Sequence, residues 1–460
     1  MIPMTLAEVA AAVRGRLDSV SDAWAAVTAP TAFDSRQVEP GGLFAALPGM
    51  RVDGHDFAVA AIEGGAVAVL ASRPTGTPAV IVDNVVSAMS DLAHAVAARY
   101  TGRILAITGS AGKTSTKDLL TQILSRAGSV VATQRSFNNE IGFPHTVLRV
   151  QADTDYLVLE MGARGRGHIA HLADIARPQI GAVLGIGSAH LGEFGSREAI
   201  AVAKRELVEA LEPSGIAVLN DDDPLVSAMA GHTRARVLRF GTGPEADVRA
   251  TDVALDAHAR ARFTLRHRDD AAPVTLGVVG AHHLTNALAA AALALAAGVE
   301  FGTVADSLDG ASLASGSRME LIERSDGVTV INDAFNASPE SVEAALVSLA
   351  ALAADTRPSI AVLGEMRELG NSAPALHARI GRCVADLGID TLITVGGPHA
   401  ELIATTARQA GSRRVTHIES KDQALALITE TLRGRDVVLI KGANSAGLFE
   451  TAAALVAAGH

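Results

Sequence analysis

From about residue 100 onward the chain alternates short runs rich in Val, Ile, Leu and Ala with stretches of helical period, and glycine or a polar cluster closes each apolar run. The first series is RILAIT, YLVLEM, IGAVLGIG and GIAVLN, with stretches such as SREAIAVAKRELVEALE between them. A second series follows Ser317: VTVIND, SIAVLGEM, TLITVGG and DVVLIKG, separated by stretches such as SVEAALVSLAAL and APALHARIGRCVADLG. Such alternation is the signature of parallel sheets covered by helices, so the chain is read as α/β with two doubly wound units. Ahead of them lies a smaller region with strands AVAVLAS and AVIVDN and the Gly-rich turn segment PGGLFAALPGMRVDGHDF. Breaks near Tyr100 to Arg103 and Ala314 to Ser317 divide the chain into three expected domains. These are a small α/β domain (1–101), a central P-loop domain on a parallel sheet (102–316) and a C-terminal Rossmann-like domain (317–460). Three is also what 460 residues suggest at roughly 100–200 per domain. Residues 245–280 carry shorter alternating segments, expected as an antiparallel insert beside the parallel sheet. No period of 20–50 residues recurs, which excludes a solenoid.

Composition narrows the functional classes. Hydrophobic residues at 48% against 19% charged supply large cores and exclude a disordered chain. A net charge of −11 disfavours unspecific attraction to nucleic acid or anionic membrane, so anionic ligands need local basic sites. Aromatics at 3% leave few stacking platforms for single-stranded nucleic acid. Cys383 is the only cysteine, which rules out internal disulfides and thiolate zinc clusters and suits a reducing cytoplasm. MIPMTLAEVAAAVRGRL reads as an amphipathic helix rather than a secretion signal, and the alanine-rich run Ala287 to Val299 is too short to span a bilayer. The expectation is a cytoplasmic monomer with neither nucleic acid nor membrane as partner.

The sharpest motif is Thr108-Gly109-Ser110-Ala111-Gly112-Lys113-Thr114-Ser115, directly after the strand RILAI and before the helix STKDLLTQILSRAG. Glycines let backbone N–H groups approach phosphate oxygens, the helix N-terminus adds its positive end, and Lys113 and Thr114 address terminal phosphates and Mg²⁺. It departs from the general P-loop spacing, because Ile107 stands where a glycine is usual.

In open α/β sheets ligands sit outside the carboxyl ends of the strands, which directs attention to the polar residues there. Glu160 follows YLVL, and Ser188 and His190 follow IGAVLGIG. With Thr114 they could hold Mg²⁺; taken alone, Glu160 also reads as a helix N-terminal acid and His190 as a core histidine. Lys204 shares a helical stripe with Ile200, Leu207, Val208 and Leu211, which points it inward. It is read either as a snorkelling or ion-paired stem or as a functional group facing the nucleotide crevice. The last unit offers Asn332, Asp333, Asn336, Glu365 and Lys441 at strand ends. Asp333 meets the demand of ribose recognition, while Asn336 and Ser338 before Pro339 also read as a helix cap. Asp34, Ser35, Arg36 and Arg51 are phosphate ligands or loop charges.

These residues together resemble the Mur ligases over nearly the whole chain. DSRQVEPGGLFAALPGMRVDGHDF, TGSAGKTSTKD, FNNEIGFP, LEMGARGRGHIAHL, IGSAHLGEFGSREAIAVAKRE and INDAFNASPESVEAAL occur in family order, and VLGEMRELG is similar to the member that adds a dipeptide. The resemblance implies ATP contacts from Thr108, Gly109, Ser110, Ala111, Gly112, Lys113 and Thr114, with Asn286 at adenine, Arg318 at the phosphates and Asp333 at the ribose. It implies Mg²⁺ near Thr114 and Glu160, a second ion near His190 and a carbamylated Lys204, and catalytic roles for Lys113, His190, Lys204 and Arg318. Ser35, Arg36, Asn138, Asn139, Asn336 and Lys441 are the expected substrate contacts. Two departures stand out: His283 where the family usually has Asn, and KGANSAG in place of KGSR.

The implied activity is ATP-dependent joining of D-alanyl-D-alanine to the terminal carboxylate of UDP-N-acetylmuramoyl-tripeptide, through an acyl phosphate, in peptidoglycan precursor synthesis. Carboxylate is a poor electrophile, so phosphorylation has to precede attack by the amine. Rival readings are the sibling adding the third stem-peptide residue, folylpolyglutamate synthase, and a P-loop regulatory module that ligates nothing. INDAFNASP and VLGEMRELG argue against the first two, and Glu160, His190 and inward Lys204 against the third.

Overall fold

A computed structural model describes residues 1–49, 52–134 and 136–458, apart from the side chain of residue 355; Arg51 lies outside them. Three α/β bodies follow one another along the chain, each built on its own sheet.

The first sheet has five strands in the spatial order Arg16–Asp18, Ala79–Ile81, Ala68–Ala71, Leu43–Ala45 and Thr31–Ala32. Its pairing is parallel except at Arg16–Asp18. Helix Leu6–Ala12 starts at a capping box, in which Glu8 N donates to Thr5 Oγ1 (3.2 Å) and Thr5 N donates to the Glu8 carboxylate (2.8 Å). Met89 and Leu92 of helix Val85–Ala97 share one core with Ile104, Phe143, Val147 and Leu172. The N-terminal body is thereby fused to a face of the central sheet by apolar packing.

The central sheet has nine strands, in the order Asp270–Val279, Arg260–His267, Val248–Leu255, Arg236–Gly241, Ile216–Asn220, Ile180–Val183, Arg103–Thr108, Tyr156–Glu160 and Val130–Ala132. From Val130–Ala132 to Arg236–Gly241 every pairing is parallel. The antiparallel segments at 248–279 do not sit beside this sheet as expected. Phe240 pairs with Val248 and Gly241 with Arg249, so the insert continues the same sheet at its edge. That junction is parallel over two residue pairs only, and the strands beyond it pair antiparallel. Helix His283–Ala296 lies against helix Lys113–Leu124, with Ala287, Ala290, Ala291 and Ala294 buried where the two approach. Among the described residues no helix is long and apolar enough to cross a membrane.

The third sheet has six strands, in the order Glu320–Glu323, Thr329–Asp333, Val437–Lys441, Ser359–Gly364, Thr391–Val395 and Arg414–Ile418. Only the first pairs antiparallel. Of the central body only Ala259 and Val279 join its buried core. Elsewhere polar contacts dock the third body: Ser188 N donates to Glu340 Oε1 (2.8 Å), and Gly192 N donates to the carbonyl of Glu368 (2.9 Å).

Candidate active site

Strand Arg103–Thr108 lies between Tyr156–Glu160 and Ile180–Val183, so the chain leaves it first to one side and later to the other. Such a switch point opens a crevice at the carboxyl ends of the strands. The segment 109–112 occupies that crevice and delivers the chain into helix Lys113–Leu124 through Gly112, whose φ is +81°. Left-handed backbone favours glycine, and the space demands it: a Cβ on Gly112 would come within 2.2 Å of Asn286 Oδ1. Lys113 Nζ folds back to donate to Gly109 O (2.8 Å), which closes the loop around its own lysine. Burial lowers the Lys113 pKa and Arg318 adds to this, while Glu160 opposes it. The Ser110 hydroxyl is buried with no protein partner, a free donor and acceptor inside the loop.

Glu160 ends its strand 1% exposed. Its amide donates to Thr133 Oγ1 (2.9 Å), and its carboxylate accepts from Thr114 Oγ1 (2.9 Å) and Asn138 Nδ2 (2.8 Å). Neutral donors thus hold a buried carboxylate that forms no ion pair among the described residues. Burying an unpaired carboxylate is costly, and a hydroxyl and a carboxylate oxygen side by side are hard-cation ligands, so Thr114 and Glu160 fit Mg²⁺. Asn138, expected at the muramyl substrate, is engaged with this carboxylate, and the exposed Asn139 accepts from Gly142 N (2.9 Å) at the start of helix Gly142–Val147.

His190 lies beyond the end of its strand in left-handed backbone, φ +62°. Burial lowers its pKa, Glu368 opposes that, and Lys113 and Lys204 reinforce it. Lys204 sits on helix Arg197–Glu209, which starts where Ser196 Oγ accepts from Ala199 N (3.1 Å). It is 3% exposed between Ile200, Leu207 and Val208, and no anion or acceptor among the described residues pairs with it. Burial, reinforced by Lys113, puts its pKa well below the usual lysine range.

The third body contributes Arg318, whose guanidinium carbon stands 4.3 Å from the centroid of the Phe335 ring. Burial lowers its pKa against the pull of Glu160, Asp333 and Asp118. Asp333 and Lys441 are register partners on adjacent parallel strands, with Lys441 Nζ 2.6 Å from Asp333 Oδ2 and donating to Asn336 O at 3.0 Å. Lys441, expected as a substrate contact, thus has its ammonium engaged by partners within the third body. Met319 N donates to Asp333 Oδ1 (3.2 Å), so both Asp333 oxygens accept. Asn336 Oδ1 accepts from Ala337 N (2.9 Å), and Ser338 caps helix Pro339–Ala353.

Other expected residues also have partners inside the protein. Thr108 Oγ1 donates to Met161 O (3.0 Å). Asn286 Nδ2 lies 3.2 Å from His283 Nδ1, so the unusual histidine holds the amide that packs on Gly112. Ser35 and Arg36 form a turn on the first body, where Arg36 Nη2 meets Asp34 Oδ2 at 2.7 Å in solvent. Reading strand ends one at a time misses Glu340 and Glu368, which join the bodies; VLGEMRELG carries Glu368 in plain view, but a turn acid gives no signal of a partner 178 positions away.

Over 99% of its length the chain is 48% identical to the UDP-N-acetylmuramoyl-tripeptide--D-alanyl-D-alanine ligase of Mycobacterium bovis, 98% of which is covered. The chain belongs to the Mur ligase family. Family models match in sequence order: the Mur ligase family catalytic domain at 31–103, the Mur ligase middle domain at 107–294 and the Mur ligase glutamate ligase domain at 317–444. The Escherichia coli ligase of the same name is 33% identical, with 99% of each chain covered. Among solved structures, crystal structure I of MurF from Acinetobacter baumannii superposes with a TM-score of 0.87 at 29% identity, covering 99% of both chains. MurF ligase from Thermotoga maritima in complex with ADP gives 0.79 at 28% identity, covering 94% of this chain and 97% of that one. The crevice lies where the central and C-terminal bodies meet.

Proposed function

We propose that this chain is an ATP-dependent ligase that joins D-alanyl-D-alanine to the terminal carboxylate of UDP-N-acetylmuramoyl-tripeptide in cytoplasmic peptidoglycan precursor synthesis, releasing ADP and phosphate. The observation that carries the reading is the full-length likeness to ligases of that name, at 48% identity. Glu160, Thr114, Lys113, His190 and Lys204 around one crevice give it a chemical basis.

In this reading the backbone of Gly109, Ser110, Ala111 and Gly112 cradles the ATP phosphates, with Thr108 beneath. Asn286 adjoins adenine, Asp333 the ribose, and Arg318 the phosphates. Lys113 lets go of Gly109 O and turns to the transferring phosphoryl group, where a preorganised cation in a dry site stabilises developing charge. Thr114 and Glu160 would hold Mg²⁺, and His190 and Lys204 a second ion, which would supply positive charge to offset that on the phosphoryl oxygens.

Lys204 takes part as its carbamate. Burial favours its neutral amine, whose lone pair would form a C–N bond to CO₂ as a C=O pair moves onto oxygen and the surplus proton leaves to water. An unpaired buried amine thereby becomes an oxygen ligand. The tripeptide carboxylate attacks the γ-phosphorus and ADP leaves; the dipeptide amine then attacks the acyl carbon and phosphate leaves. Ser35, Arg36, Asn138, Asn139 and Asn336 are assigned to the substrates. Lys441 serves through Asp333, holding it at the ribose.

Purified enzyme is to be given UDP-N-acetylmuramoyl-tripeptide and ATP with D-alanyl-D-alanine, with single amino acids, or with glutamate. Turnover to ADP and phosphate is expected with the dipeptide. Ligation of a single amino acid with none of the dipeptide would favour a sibling ligase, and AMP with pyrophosphate would exclude the acyl phosphate.

A further inference from the structure

The contact between the central and C-terminal bodies runs through the residue assigned to the second ion. Glu368 Oε2 stands 2.5 Å from His190 Nδ1, in ion-pair range though outside hydrogen-bond alignment. Glu193, on the same short helical turn as His190, approaches only to 4.0 Å. The backbone of Glu368 makes a second link, its carbonyl accepting from Gly192 N (2.9 Å). To do both, Glu368 adopts left-handed backbone, φ +63°, which a glutamate takes up only at an energetic cost. The two bodies also touch glycine to glycine: a Cβ on Gly192 would lie 2.5 Å from Gly370 N, and one on Gly370 would lie 2.6 Å from Gly192 Cα. On the other flank Ser188 donates from its amide (2.8 Å) and its hydroxyl (2.5 Å) to Glu340 Oε1. The segment 188–192 that carries His190 is thus clasped at both ends by acids of the third body.

We propose that Glu368 is a positioning residue for His190: it claims Nδ1, leaves Nε2 for the ion, and so makes the second ion site dependent on docking of the C-terminal body. Histidines that bind metals commonly offer their other ring nitrogen to a carboxylate, which fixes ring and tautomer. Here that carboxylate belongs to a different body from the histidine. Because apolar packing between the two bodies is slight, polar contacts of this kind decide their relative position, and the same contact that reports docking orients the ligand. The inference rests on the reading of His190 as an ion ligand.

The test uses full-length enzyme with ADP and Mn²⁺ as probe, following free Mn²⁺ by electron paramagnetic resonance and imidazole-nitrogen coupling by its pulsed form. Wild type is expected to bind two ions, one coupled to a histidine nitrogen. Glu368→Ala should weaken that ion about 10–100-fold and diminish the coupling, leaving the other ion unchanged. Glu368→Gln, which keeps an acceptor oxygen, should recover part of the loss. Gly192→Ala should reproduce the defect with the carboxylate intact, because the added methyl pushes the bodies apart. Wild-type affinity and coupling in Glu368→Ala overturn the proposal; if that variant does not fold, wild-type values in Glu368→Gln do so. His190→Ala separates the two readings. Retention of the nitrogen-coupled ion in that variant removes His190 as a ligand, whereas its loss there with no change in Glu368→Ala removes only the role of Glu368.

Discussion

Two lysines are buried almost equally, Lys204 in the central crevice at 3% exposure and Lys441 at the end of a C-terminal strand at 2%. Lys441 has Asp333 at 2.6 Å and the carbonyl of Asn336; among the described residues Lys204 has neither anion nor acceptor. Burial alone therefore does not say what a lysine is for. Where a partner is supplied, the cation is part of the framework, and its loss strands an acid. Where none is supplied, the amine loses its proton readily and is open to covalent chemistry.

The paired lysine sets the largest expected effect. Lys441→Ala should cost about 3 kcal/mol of unfolding free energy in urea titrations, because the half-buried Asp333 is left without its cation. Lys441→Met with Asp333→Asn should recover most of that. A fully stable Lys441→Ala whose only defect is a raised KM for the dipeptide would reverse the comparison and restore the acceptor-anchor role.

Lys113→Ala, in the phosphate loop, should lower kcat by about 10²–10³-fold, the scale of one preorganised transition-state partner. Stability should change little, since Lys113 bonds only to the carbonyl of Gly109. Single-turnover phosphate release reads the effect.

For the unpaired lysine the two readouts should part company. Lys204→Met is expected to lose about tenfold or more in kcat, comparable to the loss of an ion-site contact, while its melting temperature holds or rises, since an apolar side chain replaces a costly amine. ¹³CO₂ should label wild type at a carbamate carbon and leave Lys204→Met unlabelled. Full activity without label would show the amine to be merely structural.

A half-buried imidazole extends the comparison at the smallest scale. His145 stands 5.0 Å from the ring of Phe33 and 6.1 Å from that of Phe137, where the first two bodies meet. Burial, helped by Arg149, lowers its pKa to about 4. Its folded pKa lies below the unfolded value near 6.5, so the unfolded chain binds more protons in that window. The associated stability is complete above about pH 6.5 and is lost as pH falls through about 4. His145→Phe should remove about 2 kcal/mol of the pH dependence of stability in denaturation measured between pH 7 and 4.5.

How legible the site was follows the same division. The loop Thr108–Thr114, its strand and its helix are contiguous, so strand, glycines and lysine sit together in the sequence and were read together. Lys204 was legible because a helical stripe fixes which way a side chain points, and Ile200, Leu207 and Val208 define that stripe. The partners of Lys441 were not legible, because a strand end shows only that a residue reaches the crevice. That Asp333 stands beside it depends on strands 108 residues apart being neighbours.

The amino-acid sequence by itself determined the α/β class, the two series of parallel strands, the phosphate loop and the inward face of Lys204. Hydrophobic period, glycine placement and turn chemistry all act within a few residues. Only the tertiary structure decided that residues 248–279 extend the central sheet, that Asn138 serves Glu160, that Lys441 is neutralised and that Glu368 reaches His190. Each of these pairs residues distant in sequence, and short-range pattern carries no information about which distant partner meets a buried charge. Sheet order and the docking of one body on another make that choice.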